Sequence, residues 1–283
     1  MDVCNINDIK ALLSRHGFHF SKSMGQNFLI ESWVPEDIAA ASGADKNCCV
    51  LEIGPGIGPL TRQLSDRAAK VVAVELDRSL LPILSETLEG RSNVEIVSGD
   101  IMKQDIPALI DTRFDGLTPR VCANLPYNIT SPVLTALIEA DRFASITVMI
   151  QREVALRICA APGSSDYGAF SVFCQYHTTP ELLFDVPNTC FIPSPKVTSS
   201  VVRMIPRPKP AEVDDEAFFF RVVHAAFAQR RKTLLNSLSS TLGPSFSKDK
   251  VAQAISACHL RPDVRGERLG ISEFAKLAKE LAK

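Results

Sequence analysis

One stretch of the chain carries residue types suited to chemistry on a planar, amine-bearing base. It spans residues 122 to 130 and contains Asn124-Leu125-Pro126-Tyr127. Asn124 offers a carbonyl acceptor, Pro126 stiffens the backbone, and Tyr127 supplies a flat apolar face with a polar rim. Acceptors that hold both N–H groups of an exocyclic amine favour its pyramidal, nucleophilic form. The stretch is predicted to be an active-site loop after a buried strand; the alternative is a strand-to-helix turn with an Asx cap.

A glycine-rich turn upstream is suited to holding a nucleoside. Residues 49–53 are predicted to form a strand, residues 54–58 contain three glycines, and Pro59 suits the first turn of a helix. Roughly 20 residues later a second strand ends at Glu75, whose carboxylate can hold both ribose hydroxyls. The unit is not the dinucleotide fingerprint, because Pro59 stands where a small residue is needed. Glu52 would also repel a pyrophosphate, whereas a sulfonium or ammonium group would tolerate it.

Two more strands end in polar residues. The run Val94–Ile101 carries Asp100, which is placed to accept from an adenine amino group, although surface turns also contain Gly-Asp. The run Arg120–Ala123 delivers Asn124. Open α/β sheets bind ligands at the carboxyl ends of their strands, so these side chains are predicted to share one site.

The segment Ser21–Leu29 is rich in amides, Ser and Gly and is predicted to be a loop. It is either an N-terminal connector or a flap whose Gln26, Asn27 and Leu29 close over a ligand. Before it, residues 6–16 have the spacing of a short amphipathic helix.

The remaining pattern predicts an α/β sheet of seven strands, mostly parallel, with a small C-terminal all-helical domain. Three strands are predicted at residues 146–150, 182–186 and 197–204, the last two as an antiparallel pair joined by a proline-rich connector. Prolines 206, 208 and 210 mark a linker, and residues 215–281 are predicted to be helical. The domains are therefore expected at 1–205, including the flap, and 206–283.

Composition limits the possible classes of protein. With 283 residues, 46% of them hydrophobic, the chain can bury one large core and a smaller one. The start of the chain has no targeting pattern, which predicts a cytoplasmic protein, and the eight cysteines show no metal-ligand spacing. The net charge of −1 hides an asymmetry: residues 203–283 contain 15 basic and 9 acidic residues. A basic tail on an acidic body is consistent with polyanion binding.

Taken together, these motifs resemble the ribosomal RNA adenine dimethyltransferase family, in particular the bacterial small-subunit enzymes linked to kasugamycin sensitivity. The resemblance covers nearly the whole chain. It rests on an ordered set of motifs: Gly25–Leu29, Leu51–Gly56, Glu75–Asp77, Gly99-Asp100, Asn124–Tyr127, Tyr167-Gly168, Phe191–Val197 and Gln229–Leu234.

The resemblance implies a Rossmann-like class I methyltransferase fold with S-adenosylmethionine as cofactor and no metal. Glu75 would hold the ribose, Asp100 the adenine, and Asn124 both cofactor and target. The residues expected to bind the cofactor are Gln26, Asn27, Leu29, Gly54, Gly56, Glu75, Leu76, Asp100, Ile101 and Asn124.

The implied substrate is a pair of adjacent adenosines in a stem-loop near the 3′ end of small-subunit (16S) rRNA, each methylated twice on N6 in an immature ribosomal particle. The expected catalytic residues are Asn124, Leu125, Tyr127 and Phe191. The two aromatic rings would stack on the base, although Phe191 could instead be a core residue. Arg230, Arg231 and Lys232 would hold RNA phosphates, and the protein would act as a monomer.

Three other functions remain open. The related erythromycin-resistance family acts on large-subunit rRNA and shares the motifs. An adenine-N6 DNA methyltransferase usually has proline where Leu125 stands and carries a larger recognition domain. A non-catalytic ribosome assembly factor or transcription factor could have kept the fold, since fold alone does not prove activity.

Overall fold

The computed structural model of the chain describes residues 1–20 and 25–283. The described residues form two compact units. The first comprises Met1–Ala155 and Glu181–Pro206, and the second comprises Leu156–Pro180 and Arg207–Lys283.

The strands of the described residues are, in chain order, β1 Phe28–Leu29, β2 Cys48–Ile53, β3 Lys70–Glu75, β4 Val94–Ser98, β5 Thr118–Asn124, β6 Ser145–Gln151, β7 Thr178–Val186, β8 Phe191–Ile192 and β9 Ser199–Pro206.

The α-helices are α1 Ile6–Arg15, α2 Trp33–Ala41, α3 Pro59–Arg67, α4 Leu81–Thr87, α5 Ile106–Arg113, α6 Thr130–Glu139, α7 Arg152–Cys159, α8 Ala169–His177, α9 Glu216–Phe227, α10 Leu234–Thr241, α11 Lys248–Ala257 and α12 Ile271–Ala282.

The main sheet has seven strands in the order β4-β3-β2-β5-β6-β9-β7. The pairs β4-β3, β3-β2, β2-β5 and β5-β6 are parallel, whereas β9 runs antiparallel to β6. Every residue of β2 is buried, as are the first six residues of β6, so both strands read in the sequence as mostly apolar runs, interrupted by Glu52 in β2 and by Ser145 and Thr147 in β6. The predicted fold class, a mostly parallel seven-stranded sheet, is confirmed.

The connections of the parallel strands place the loops of interest at one edge. Strand β2 leads through the glycine turn into α3, which begins at Pro59 as expected. Strand β5 ends at Asn124 and leads through a single 3₁₀ turn, Tyr127–Ile129, into α6. Because β2 and β5 are parallel neighbours, the turn after β2 and the loop after β5 both lie at the carboxyl end of the sheet.

The second unit contains α8 to α12, which confirms the C-terminal helical region. Its core holds buried aromatic side chains, including Tyr176, Phe219 and Phe274. The rings of Tyr176 on α8 and Phe219 on α9 lie 5.1 Å apart, centroid to centroid. Residues 156–180 thus belong to the same compact unit as the C-terminal helices, whereas the prediction from the sequence placed them in the first domain. The division at 205/206 remains a prediction for independently folding domains.

A second, two-stranded sheet joins segments that the sequence presented as loops. Strand β1 pairs antiparallel with β8, so that Leu29 lies opposite Phe191. The pairing continues through a hydrogen bond from Ile30 N to the Cys190 carbonyl (2.9 Å). Residues 21–24 of the predicted flap lie outside the described residues. Within the described part of the chain, no helix combines the length and apolar character needed to cross a membrane.

Candidate active site

A cavity of about 280 Å³ opens at the carboxyl ends of β2, β3, β4 and β5. Its size is near the lower end of the range for small-molecule sites. All the residues that the sequence assigned to catalysis or cofactor binding line it: Gln26, Asn27, Leu29, Gly54, Gly56, Glu75, Leu76, Asp100, Ile101, Asn124, Leu125, Tyr127 and Phe191. The structure thus brings these residues together, while their individual roles remain predictions.

The glycine turn after β2 forms one wall of the cavity. Gly56 has φ +61°, a left-handed conformation that side chains rarely adopt. A Cβ atom built at Gly56 would lie 3.4 Å from the ring of Phe28. The Phe28 ring of β1 therefore packs directly against Gly56, and a side chain at position 56 would crowd it.

Glu75 is a buried carboxylate held in place by the backbone. Its side chain is 5% exposed. One oxygen accepts from the Asp77 N–H (2.8 Å) and the other from the Gly56 N–H (3.3 Å). Burial raises the pKa of Glu75, while these backbone hydrogen bonds oppose the shift. The carboxylate is thus fixed before any ligand arrives and retains lone pairs that can accept from hydroxyl groups.

Asp100 follows β4 on the neighbouring side of the cavity. Ser98 at the end of β4 lies opposite Glu75, and the next N–H, that of Gly99, donates to the Glu75 carbonyl (2.8 Å). Asp100 Oδ1 accepts from the Met102 N–H (3.0 Å), which caps a short 3₁₀ turn. These bonds keep the second carboxylate at the rim of the same cavity as Glu75.

The loop after β5 is bonded to its surroundings in several places. Asn124 lies opposite Met149 in the ladder with β6, and the Leu125 N–H donates to the Met149 carbonyl (3.1 Å). The Pro126 carbonyl accepts from the N–H of Ile129 and from the hydroxyl of Thr130, each at 3.2 Å. Asn124 is therefore held at the cavity by a stiff backbone.

The described part of the predicted flap lines the cavity, and one of its side chains is bonded to Asp77, two residues after the end of β3. Gln26 Nε2 donates to Asp77 Oδ2 (2.6 Å), and Asn27 Nδ2 donates to the Gly25 carbonyl (3.1 Å). Gln26, Asn27 and Leu29 all line the cavity. This position agrees with a flap better than with a remote connector.

Phe191 lines the cavity but is only 3% exposed. It packs in a core cluster that includes Leu29, Ile38 and Val201. Its core packing is thus established, and stacking of its ring on a base remains a prediction.

Comparison with known proteins identifies the family. The family model described as ribosomal RNA adenine dimethylase matches residues 17–283. The chain belongs to the ribosomal RNA adenine dimethylase family. This membership confirms the predicted family, the enzyme class and the use of S-adenosylmethionine.

Individual members show how close the relationship is. The "Ribosomal RNA small subunit methyltransferase A" of Shouchella clausii is 47% identical over 99% of this chain and 96% of its own length. The crystal structure of the 23S rRNA methyltransferase ErmE is 25% identical, with a TM-score of 0.67 over 90% of this chain and 100% of that one. A dimethyladenosine transferase from Plasmodium falciparum, 24% identical, has a TM-score of 0.70 over 88% of this chain and 95% of that one, which shows the shared fold.

Other residues line the cavity of this dimethylase without having been assigned to it from the sequence. They include Phe28, Glu52, Ile57, Leu80, Pro126 and Asn128. Phe28 lies within the Gly25–Leu29 motif and Pro126 within the Asn124–Tyr127 motif, so their place in these motifs could have predicted that they line the cavity. Ile57 and Leu80 carry no such signal, because their apolar side chains resemble those of any core residue.

Glu52 is the most unusual of these residues. It is 1% exposed, and its Oε2 has no hydrogen-bond partner among the described residues. Burial raises the pKa of Glu52 to about 8 from an ordinary value of 4.5; the Thr61 hydroxyl opposes the shift and the Glu75 carboxylate adds to it. At neutral pH the ligand-free protein therefore holds Glu52 mainly in its neutral form.

The three basic residues expected to contact RNA lie in the second unit and do not line the cavity. Arg230, Arg231 and Lys232 are all exposed. The Arg230 guanidinium donates to the carbonyls of Ser165 (2.6 Å) and Tyr167 (3.0 Å). Arg230 thus has a structural contact to the loop before α8, and RNA binding by the three residues remains a prediction.

Within residues 1–20 and 25–283, no group of three or more His, Cys, Asp or Glu side chains is arranged to hold a metal ion.

Replacing Glu52 by Gln should flatten the pH dependence of stability. Because the folded pKa of Glu52 is raised, its stabilising contribution is complete below pH 4.5 and is lost as pH rises to about 8. The free energy of unfolding of the wild type should therefore fall between pH 6 and 8, with this group contributing up to about 1.4 kcal/mol per pH unit. Urea denaturation from pH 6 to 9 should show a smaller slope for Glu52→Gln.

The exposed Glu89 provides the control, because Glu89→Gln removes the same kind of group from the surface. The free energy of unfolding of Glu89→Gln should change with pH as steeply as that of the wild type. Equal slopes for Glu52→Gln and the wild type would show that Glu52 is already ionised at pH 6.

Proposed function

We propose that this chain transfers two methyl groups from S-adenosylmethionine to N6 of each of two adjacent adenosines in a 3′-terminal stem-loop of small-subunit (16S) rRNA. The reaction takes place on an immature ribosomal particle in the cytoplasm, and the enzyme acts as a monomer. One observation carries the proposal: Glu75, Asp100 and Asn124 line a single cavity in a chain 47% identical to a small-subunit enzyme.

The cavity fits the nucleoside part of the donor. The two Glu75 oxygens, already oriented by backbone N–H groups, would accept from the two ribose hydroxyls. Asp100 would accept from the adenine amino group at the rim. Gly54 and Gly56, both with positive φ, let the ligand approach the backbone closely.

The remaining lining residues would enclose the donor. Leu76 and Ile101 follow the two acidic strand ends and would contact the adenine, while Gln26, Asn27 and Leu29 would cover it from the flap side. The donor's sulfonium supplies an electrophilic methyl group. The positive sulfonium and ammonium groups of the donor would favour the ionised form of Glu52, whose pKa burial raises to about 8, and would be attracted to Glu75.

The target amine is activated by the loop after β5. The Asn124 side-chain carbonyl would accept one amine N–H, and a backbone carbonyl of the loop would accept the other, which frees the lone pair for attack. No strong base is needed, because the nitrogen proton becomes acidic once the nitrogen has been alkylated. The stiff Pro126 backbone holds Asn124 in place, and positioning of this kind supplies much of the rate.

The preference for small-subunit RNA follows from the degree of similarity. The chain is 47% identical to a small-subunit enzyme and 25% identical to the large-subunit enzyme ErmE. Purified protein with labelled donor should therefore methylate small-subunit particles that lack the modification and leave protein-free large-subunit RNA unmodified. Mass spectrometry should identify two adjacent N6-dimethyladenosines, and preferential labelling of large-subunit RNA would refute the proposal.

Asn124→Ala should lower kcat by roughly 100-fold or more, which is the scale for losing a hydrogen bond made in the transition state. Donor affinity, measured by calorimetry, should change much less than kcat. Circular dichroism should confirm that the variant is folded. Turnover close to that of the wild type would remove Asn124 from the mechanism.

The double variant Arg231→Ala/Lys232→Ala should weaken RNA binding and reduce its dependence on salt. Each phosphate contact that is lost should lower the slope of log affinity against log salt by about 0.7 to 0.9. The matched control is Lys276→Ala/Lys279→Ala, which removes two exposed positive charges from α12. The same loss in both double variants would mean that net charge, and not this position, determines RNA binding.

A further inference from the structure

A hydrogen bond links Tyr127, in the loop after β5, to Ser199, the first residue of β9. Tyr127 Oη and Ser199 Oγ lie 2.7 Å apart. Ser199 is fully buried, and Tyr127 is partly buried at the cavity. Neither the motifs in the sequence nor the composition of the cavity lining pointed to Ser199.

The bond spans one strand of the sheet. Strand β6 lies between β5 and β9, with Asn124 opposite Met149 on one side and Ser199 opposite Gln151 on the other. The Arg152 N–H also donates to the Thr198 carbonyl (3.0 Å), which fixes the start of β9. Ser199 is therefore anchored by backbone bonds, and its hydroxyl can act as a fixed point for the aromatic side chain.

The other restraints on the loop act on its backbone, through Leu125 and Pro126. The Ser199 contact differs because it acts on the Tyr127 side chain. A phenol ring held at its oxygen can no longer swing about its Cα–Cβ bond, so the ring stays in place beside the cavity. Burial raises the pKa of Tyr127, with the Ser199 hydroxyl opposing the shift, so the phenol keeps its proton at neutral pH.

We propose that Ser199 is a positioning residue: its hydroxyl holds the Tyr127 ring at the place where it can stack on the target adenine. The contact also joins the Asn124–Tyr127 loop to β9, the strand that follows the Phe191–Pro195 segment. Through β9, the segments that carry the two expected stacking rings, Tyr127 and Phe191, are connected. This inference rests on the proposed function, because it assigns the ring to the base of that reaction.

The test compares variants that remove a single hydroxyl. Ser199→Ala and Tyr127→Phe should each lower kcat by about 10-fold, because a misoriented base loses part of the positioning effect. The affinity for S-adenosylmethionine, measured by calorimetry, should stay within about 2-fold of the wild type. The double variant should be no worse than either single variant, because both remove the same bond.

The matched control is Ser200→Ala, on the next residue of the same strand. Ser200 is equally buried, and its hydroxyl donates to Asp185 Oδ1 (2.6 Å) instead of bonding to the loop. Its kcat should stay near the wild-type value even where the midpoint of thermal unfolding falls. Ser199→Thr, which keeps a hydroxyl, should recover part of the lost activity.

Wild-type kcat in both Ser199→Ala and Tyr127→Phe would overturn the inference, as would effects that multiply in the double variant. An equal loss of kcat in Ser200→Ala would also overturn it, since the loss would then follow from general destabilisation. A wild-type protein without activity on small-subunit particles would instead refute the proposed function, so the two failures are distinguishable.

Discussion

The parallel register of β4, β3, β2 and β5 is the constraint on which the cavity depends. Val74 pairs with Ile53, Glu75 with Ser98, and Leu51 with Val121, so each of these strands ends within about one residue of its neighbour. A slip of one residue would turn each side chain to the opposite face of the sheet. Strand β2 is buried throughout and β3 is buried except at its first residue, whereas β4 at the edge of the sheet is partly exposed. This register delivers Glu75, Asp100 and Asn124 to one edge.

The electrostatics of the cavity follow from the same architecture. Glu52 and Glu75 lie on adjacent strands, both almost fully buried, and burial raises the pKa of each. The burial of Glu75 is offset by two hydrogen bonds from backbone N–H groups, whereas one oxygen of Glu52 has no hydrogen-bond donor within residues 1–20 and 25–283. A positively charged ligand would lower the free-energy cost of ionising Glu52, whereas an anion would raise it, which agrees with a sulfonium donor and not with a pyrophosphate.

The parts of the site that could be predicted from the sequence are those encoded locally. Strand ends, the glycine turn and the Asn124–Tyr127 loop each lie within a short run of residues whose types report their backbone and chemistry. Three features depend on contacts between distant residues. The β1–β8 pairing consists of two residues on each side and has no periodic pattern. The Tyr127–Ser199 bond joins two residues 72 positions apart.

The third such feature is the assignment of residues 156–180 to the second unit. The apolar face of α8 indicates that the helix is buried, but not which core receives it. The structure packs Tyr176 against Phe219, so the choice of partner depends on tertiary packing and not on the pattern along α8. In contrast, the helices after residue 215 were predictable, because their apolar periodicity is sustained and only other helices are nearby in the sequence.

The central claim is that the carboxyl edge of the sheet is already arranged to receive the donor and the base. A crystal structure of the protein with S-adenosylmethionine bound tests it most directly. The Glu75 oxygens are expected to contact the ribose hydroxyls while keeping their bonds to the Gly56 and Asp77 N–H groups, with Asn124 facing the methyl group. A donor bound elsewhere, or a Glu75 side chain turned away from it, would contradict the account.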